Sequence, residues 1–498
     1  MGINNLWEVL EPAATTVPVV SLAVSDRYVG PAPHSPYVVG IDASGWFEQC
    51  QQGRWHRAHS QTGMNPTIRT FLFRLARLAW HPVQLIFCYD GDQRPDVKRG
   101  HRVSTKDHWM VQPTQRILNV FNMQWITAAG EAEAQLALMN NAGIIDAVMT
   151  DDSDAFVFGA QTVLRNSSFS ADATATVKMY TTSSIQERVE PHLTIDGFMT
   201  MAVCCGGDYD NNGLPGCGRE TALGLVHCMN TSVLRDTGCG RNSPDQTLER
   251  WRMDARYHLM DDPTGEMGRA HPAIARALPD SFPNQHILNL YAKPAITPLT
   301  ELPILHSPAP PDLAPLALLV QQLLGWDPKK LISSFRSNIW PIVVLHELLE
   351  DIAKNSPASD EIDLAPGCTR AIFKCCVRHP KKVLAGIAGH NNDVPICDLE
   401  RAALQLLPTG SSKGSDDVTQ STEYIRVWLA DDIYDCWVRT MFPMSPEPST
   451  SHAIDLEDNT MDDGPASSAA TVSSSSYVDI IDLTQDEGGD HEIIDLTI

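Results

Sequence analysis

Residues 128–159 read AAGEAEAQLALMNNAGIIDAVMTDDSDAFVFG, and the placement of the acids in this stretch decides the fold. Glu131 and Glu133 stand at alternate positions ahead of an Ala/Leu-rich helical run. A short apolar strand follows and runs into Asp151, Asp152 and Asp154. Like charges this close repel and shift one another's pKa. Either acid group alone reads as a solvated turn. Both together, on either side of one strand, point to divalent cations: hard ions such as Mg²⁺ take oxygen ligands and keep several waters plus substrate phosphate.

Working outward, Tyr37–Ile41 (YVVGI) is a β-type run ending on Asp42, and Val83–Tyr89 (VQLIFCY) is a second ending on Asp90. Asp146–Thr150 (DAVMT) is the third, leading into Asp151–Asp154. Thr67–Trp80 has helical periodicity, with Arg69, Arg74 and Arg77 off its apolar face. Apolar strands alternating with helices predict a parallel α/β sheet, whose ligands sit beyond the carboxyl ends of the strands. Asp42, Asp90 and Asp152/Asp154 each follow a different strand, so with Glu131 and Glu133 they should share one acidic pit. Downstream, Asp208 precedes GLPGCG. Closely spaced glycines let the backbone form a nest for a phosphate or a monovalent ion at a helix start. By itself Gly213-x-x-Gly216-x-Gly218 is a weak signal; Asp208 immediately before it gives it weight.

The chain has 498 residues, 43% of them hydrophobic and 20% charged, as in ordinary soluble globular proteins with room for two or three domains. No apolar run approaches the ~20 residues of a membrane span. The N-terminus lacks a signal-peptide layout, and Leu6 stands where myristoylation prefers Ser or Thr. The 12 cysteines form no CxxC pair, which points to reduced thiols rather than a zinc module. The net charge of −24 is unevenly spread: from Thr450 onward there are 12 acids and no Lys or Arg. Residues 1–230 hold 16 Lys/Arg against 22 Asp/Glu, a net of −6. Setting aside the seven candidate ligands leaves the rest of that region near +1, which permits DNA binding without favouring it strongly.

The ordered set MGINNLW, VVGIDASGWF, FCYDGDQRPDVKRG, GEAEAQLA, TDDSDAFVFG and GGDYDNNGLPGCG resembles the XPG-type structure-specific nucleases, the flap-endonuclease superfamily, across roughly residues 1–300. Within it the chain is most similar to the fungal Holliday-junction-resolvase branch. The resemblance implies a PIN-like nuclease core, an α/β fold with a parallel sheet flanked by helices, over residues 1–190. A helix–two-turn–helix would occupy 191–300, and a small module, chromodomain-like in resolvase relatives, 301–444. It implies seven metal ligands, Asp42, Asp90, Glu131, Glu133, Asp152, Asp154 and Asp208, with Asp151 left out. These would hold two Mg²⁺ ions (Mn²⁺ as a substitute) about 4 Å apart that clamp the scissile phosphate, leaving a 5′-phosphate and a 3′-hydroxyl. It further implies that Lys98 offsets charge at that phosphate, with Arg99 and Arg102 contacting phosphates nearby. Gly2 would pack close to the site. Gly213, Gly216 and Gly218 would grip duplex backbone through a monovalent cation such as K⁺.

Three departures bear on the substrate. The interval from Asp90 to Glu131 leaves room for one modest helix in place of a threading arch, which suits junctions without a free end. The helix after GLPGCG begins Arg219-Glu220, where relatives often have Pro-Lys, and 26 residues separate Leu10 from Tyr37. The implied function is a Mg²⁺-dependent endonuclease on branched or flapped double-stranded DNA, acting in repair and recombination in the nucleus. A symmetric cut of a four-way junction would require two copies on the DNA. A 5′-flap or excision-type nuclease on the same fold remains an alternative, as does a catalytically weak scaffold directed by SUMO.

Beyond residue 300 the pattern is sparser. Pro303–Pro315 reads as a linker and Leu316–Ala353 as helical, interrupted at Trp340-Pro341. Ala371–Leu407 and Tyr424–Met441 read as a mixed module with Trp428 and Trp437 inside. The Ser/Asp-rich tail, 445–498, has a disordered composition. It carries two similar runs, Val478, Ile480, Ile481 and Leu483 in the first, and Ile493, Ile494 and Leu496 in the second. Each resembles a SUMO-interaction motif, which adds a strand to an exposed sheet edge; a solubilising acidic tail is the plainer alternative.

Overall fold

The computed structural model describes residues 2–25, 27–28, 36–52, 64–104, 106–168, 175–354, 370–407 and 423–442. The tail with its two SUMO-motif-like runs lies outside the described residues. Strands β1 (Thr15–Pro18), β2 (Tyr37–Asp42), β3 (Val83–Tyr89), β4 (Val97–Lys98), β5 (His101–Arg102), β6 (Gln124–Thr127), β7 (Ala147–Met149), β8 (Thr162–Ser168) and β9 (Thr176–Thr181) make up the N-terminal half. Seven of them form one sheet in the order β1-β9-β8-β7-β2-β3-β6.

From β8 to β6 all neighbours are parallel, whereas β9 and β1 run antiparallel to the strands beside them. The sequence predicts the parallel centre; the antiparallel edge is an addition. It goes with the Thr-rich, mostly half-exposed character of β9 and the exposed and half-exposed residues of β1, which suit a sheet margin rather than a doubly covered centre.

The period-2 alternation of the central strands feeds two separate cores. Val39, Ile41, Leu85, Phe87 and Met149 point to one face, against the Ala43–Gln52 and Pro66–Ala79 helices. Val38, Ile86, Cys88 and Val148 point to the other, against the Ala132–Asn141 and Ile195–Cys205 helices. Gly40 leaves room between them: a Cβ there would lie 2.6 Å from the side-chain ends of Leu136 and Ile145. Its absence lets the 132–141 helix lie directly on β2. Arg74, expected off the apolar face of its helix, instead stacks its guanidinium over the buried Trp46 ring at 4.3 Å. Stem packing and cation–π attraction favour that position.

Helices Leu313–Leu324, Pro328–Asn338 and Trp340–Lys354 follow. Pro341 lies at the start of the third, where a missing N–H costs nothing. β10 (Val377–Leu384), β11 (Ile387–Pro395) and β12 (Tyr424–Ala430) form an antiparallel sheet, covered by the Asp431–Met441 helix. Its interior residues Val394, Val427, Ile433 and Trp437 continue the core that underlies the large sheet. Trp437 is buried as expected. Trp428 is only half-buried, its Nε1 donating to the Lys382 carbonyl at 3.3 Å on the outer face. No helix among the described residues is long and apolar enough to cross a membrane.

Candidate metal and phosphate site

Each acid of the pit is placed by the end of a secondary element. Asp42 closes β2 and caps the next helix: its Oδ1 accepts from the Ser44 and Gly45 N–H groups at 2.9 and 3.3 Å. Its Oδ2 accepts from Thr150 Oγ1 at 3.1 Å, tying β2 to the end of β7. Asp90, just beyond β3, accepts from Ser44 Oγ at 2.7 Å and from the Ala132 N–H at 2.9 Å. Glu131 is the extended N-cap of the 132–141 helix (φ −90°, ψ 138°), and Glu133 lies in its first turn. A side chain at each position reaches the same ammonium, and the helix dipole favours negative charge there. Asp152 Oδ1 accepts from the Asp154 N–H at 2.9 Å.

Lys98 enters this pit from the β4–β5 hairpin. Arg99 (φ 50°) and Gly100 (φ 75°) form its two-residue turn, the left-handed pair that matches strand twist. Lys98 Nζ lies 3.0 Å from Glu133 Oε1 and 3.5 Å from Asp208 Oδ2, and also pairs with Glu131. The strained Arg99 backbone is held in place by three contacts. Its N–H donates to the Asp208 carbonyl at 2.6 Å, its Nε to Asp208 Oδ1 at 2.8 Å, and its Nη2 to the Gly2 carbonyl at 3.3 Å. The Gly2 N–H donates to Asp208 Oδ1 at 3.1 Å. Gly2 has φ +79°, and a Cβ would meet Asp152 Oδ1 at 2.4 Å and the Asp154 nitrogen at 2.7 Å. Only glycine fits there.

The seven acids are thus brought together, six of them buried and Asp90 half-buried. Burial, then the charges of Asp90 and Asp152, push Asp42 up to about 7. Burial and Asp208 push Asp152 up to about 6. Glu133 and Asp154 are raised mainly by burial. Asp208 goes the other way: burial opposes its charge, but Lys98 and Arg99 hold it below the ordinary value. Burial likewise works against the Lys98 ammonium, yet Glu133 and Glu131 keep it well above its usual pKa. Asp154 Oδ1 is buried without a hydrogen-bond partner. A set of all-oxygen donors, crowded, desolvated and in part unpartnered, fits hard divalent cations, and the Lys98 ammonium beside Glu131, Glu133 and Asp208 marks where positive charge is favoured.

Asp151, left out of the ligand set, is turned away from the pit, gripped by Gln49 and by Arg165 Nε at 3.1 Å. Arg102 is exposed on β5, outside the pit. Gly213 (φ 56°) and Gly216 (φ 79°) turn the chain before the Arg219–Cys228 helix. A Cβ at Gly213 would lie 2.5 Å from the Cys204 carbonyl. Gly218 is the N-cap of that helix and faces open space.

Sequence reasoning missed two aromatic residues here. The Tyr209 hydroxyl donates to Glu131, and the Tyr291 ring packs on Tyr209 with centroids 4.5 Å apart. Tyr209 was readable in principle, directly after Asp208. Tyr291 lies on the Gln285–Ala292 helix and is brought to the pit by tertiary packing alone.

Residues 122–208 match the family model of the XPG I-region. The chain is 29% identical over 273 residues to human Flap endonuclease GEN homolog 1, across 50% of this chain and 28% of that protein. It is 21% identical over 346 residues to the Holliday junction resolvase YEN1 of Saccharomyces cerevisiae, across 52% of this chain and 45% of the other. It therefore spans less than half the length of these curated relatives. A solved structure of the junction-resolving enzyme GEN-1 binding with potassium has a TM-score of 0.64 at 21% identity, covering 88% of this chain and 98% of the other. One of GEN1 in complex with product DNA and Mg²⁺ gives 0.62 at 20%, covering 89% and 97%. Residues 122–208 are thus similar to the XPG I-region, and the chain shares the fold of these solved nucleases.

Proposed function

We propose that this protein is a Mg²⁺-dependent, structure-selective DNA endonuclease that cuts branched DNA, four-way junctions in particular, during repair and recombination in the nucleus. The observation that carries this reading is the pit: six buried carboxylates and the half-buried Asp90 gathered at the end of a parallel sheet, three of them (Glu131, Glu133 and Asp208) paired with the Lys98 ammonium. Asp42, Asp90, Glu131, Glu133, Asp152, Asp154 and Asp208 would hold two Mg²⁺ ions, or Mn²⁺, which when bound supply an activated water and stabilise the leaving oxygen.

The chain's own residues do the rest. Lys98 offsets part of the pit's negative charge before metals enter, and its ammonium is then free to face the scissile phosphate and offset charge developing there. Arg99, fastened to Asp208 and the Gly2 carbonyl, fixes the hairpin that aims Lys98. Arg102, exposed on the same hairpin, meets a neighbouring phosphate. Gly213, Gly216 and Gly218 turn the backbone ahead of a helix N-terminus, a setting suited to K⁺ and duplex phosphate.

We read residues 1–190 as the nuclease core, 191–300 as the helix–two-turn–helix, 301–444 as a chromodomain-like module and 445–498 as the SUMO-reading tail. The junction is favoured over a threaded 5′ flap because only one described helix, Val111–Val120, lies between Lys98 and Thr127. Two copies on one junction would give paired cuts.

The test uses purified protein with Mg²⁺ on an immobile four-way junction and a 5′-flap, labelled on separate strands, beside Asp152→Asn/Asp154→Asn. Paired symmetric nicks on the junction, lost in the variant, are expected. Cleavage confined to the flap would move the protein to the flap-cutting alternative, and binding without cleavage would favour the scaffold. Loss of capture on immobilised SUMO when residues 445–498 are removed tests the tail separately.

A further inference from the structure

A second cluster of ligating side chains lies away from the acidic pit. Glu190 follows the Thr182–Arg188 helix, His192 precedes the Ile195–Cys205 helix, and His227 stands in the last turn of the Arg219–Cys228 helix. Glu190 is buried, with one carboxylate oxygen 2.7 Å from His192 Nδ1 and the other 2.9 Å from His227 Nδ1. One ligand atom from each of the three lies within 4.8 Å of the others. The two imidazole rings are 5.3 Å apart and nearly perpendicular, both turned on the same carboxylate.

We propose that Glu190, His192 and His227 form a zinc-class metal site that ties the 189–193 loop to the carboxyl end of the 219–228 helix.

Two imidazoles and a carboxylate are donors that borderline transition ions take in tetrahedral geometry, whereas Mg²⁺ and Ca²⁺ prefer all-oxygen sets. Glu266 supports the arrangement from outside: its Oε2 lies 3.4 Å from His227 Nε2. A carboxylate beyond the ring is the usual outer partner of a metal-bound histidine, and one that closes on Nε2 would leave Nδ1 as the donor. The site lies at a helix carboxyl end, where the dipole favours a cation. His192 is exposed, so a water has access to the fourth position. Glu190 is held in place as a ligand: its Oε1 accepts from the His192 N–H at 3.0 Å, which fixes the carboxylate between the two rings. The helix so anchored is the one that Gly218 opens, so the metal would stiffen the element assigned above to the duplex.

The test is a Co²⁺ titration of the full chain in excess Mg²⁺, which keeps the acidic pit filled. Wild type should take up about one equivalent with visible bands of four- or five-coordinate Co²⁺, no thiolate charge-transfer band, and displacement by Zn²⁺. His192→Ala/His227→Ala should lose the bands while unfolding as cooperatively as wild type. Glu190→Gln, which keeps side-chain volume, should lose them too, and Glu266→Gln should bind on the order of 10–100-fold more weakly. No bands in wild type, or bands unchanged in the double variant or in Glu190→Gln, would overturn the assignment.

Discussion

At the scale of single residues, Gly2 and Lys98 can be tested with opposite signatures. Gly2→Ala must place a Cβ 2.4 Å from Asp152 Oδ1 at a φ of +79°. Holding a non-glycine residue in a left-handed conformation costs about 1–3 kcal/mol, and the clash adds to that. The expected outcome is a lower melting temperature, weaker Mg²⁺ binding and slower cleavage together, measured by calorimetry and single-turnover kinetics. Lys98→Ala separates these quantities. Removing an ammonium that now pairs with three acids should tighten Mg²⁺ binding. Losing its charge at the phosphate should slow cleavage by about 10²–10³-fold. If Mg²⁺ affinity and rate fall together in Lys98→Ala, the lysine is only a structural counter-ion.

At the scale of elements, what the sequence revealed and what it hid have physical reasons. β2, β3 and β7 were legible because buried parallel strands are continuous apolar runs, and each leads into an acid. β1 and β9 were not, since Thr-rich half-exposed runs at the sheet margin resemble loops. The Arg99–Gly100 turn was missed because its Arg is held at positive φ by contacts with Asp208 and Gly2, partners more than 90 residues away. Tyr291 was hidden for the same reason: no local pattern aims a helix residue at a pit built from strand ends.

The C-terminal module was read only as mixed, and one buried acid helps tie it to the helix before it. Asp351 accepts from Trp437 Nε1 at 2.9 Å and pairs with Arg370 Nη2 at 2.6 Å, joining the 340–354 helix to the 431–441 helix. Asp351→Ala strands the buried indole N–H, a loss of about 1–3 kcal/mol, while Arg370 keeps Glu350 at 2.8 Å. The urea midpoint should fall, and Asp351→Asn should recover part of it. An unchanged midpoint would mean that apolar packing around Trp437 holds the module by itself.

At the scale of the whole molecule, the pit makes stability depend on pH and metal together. Asp42, at about 7, and Asp152, at about 6, hold protons in the folded protein that the unfolded chain releases near the ordinary aspartate value of 3.8. Between those limits the folded state binds more protons, so stability falls as pH rises. Asp208 is lowered, so its opposite contribution is complete before the window opens. Glu347, raised by burial to about 7, shares the window but not the metal. The difference between Mg²⁺ and chelator therefore isolates the pit. Metal competes with those protons, so Mg²⁺ should raise the melting temperature little at pH 5 and progressively more through pH 7 to 8 (bracketing the two raised acids). In Asp152→Asn/Asp154→Asn the Mg²⁺ increment should shrink at every pH, because two ligands are gone. An increment independent of pH in the wild type would show that the carboxylates are already ionised without metal, and that the pit is wetter than its burial implies.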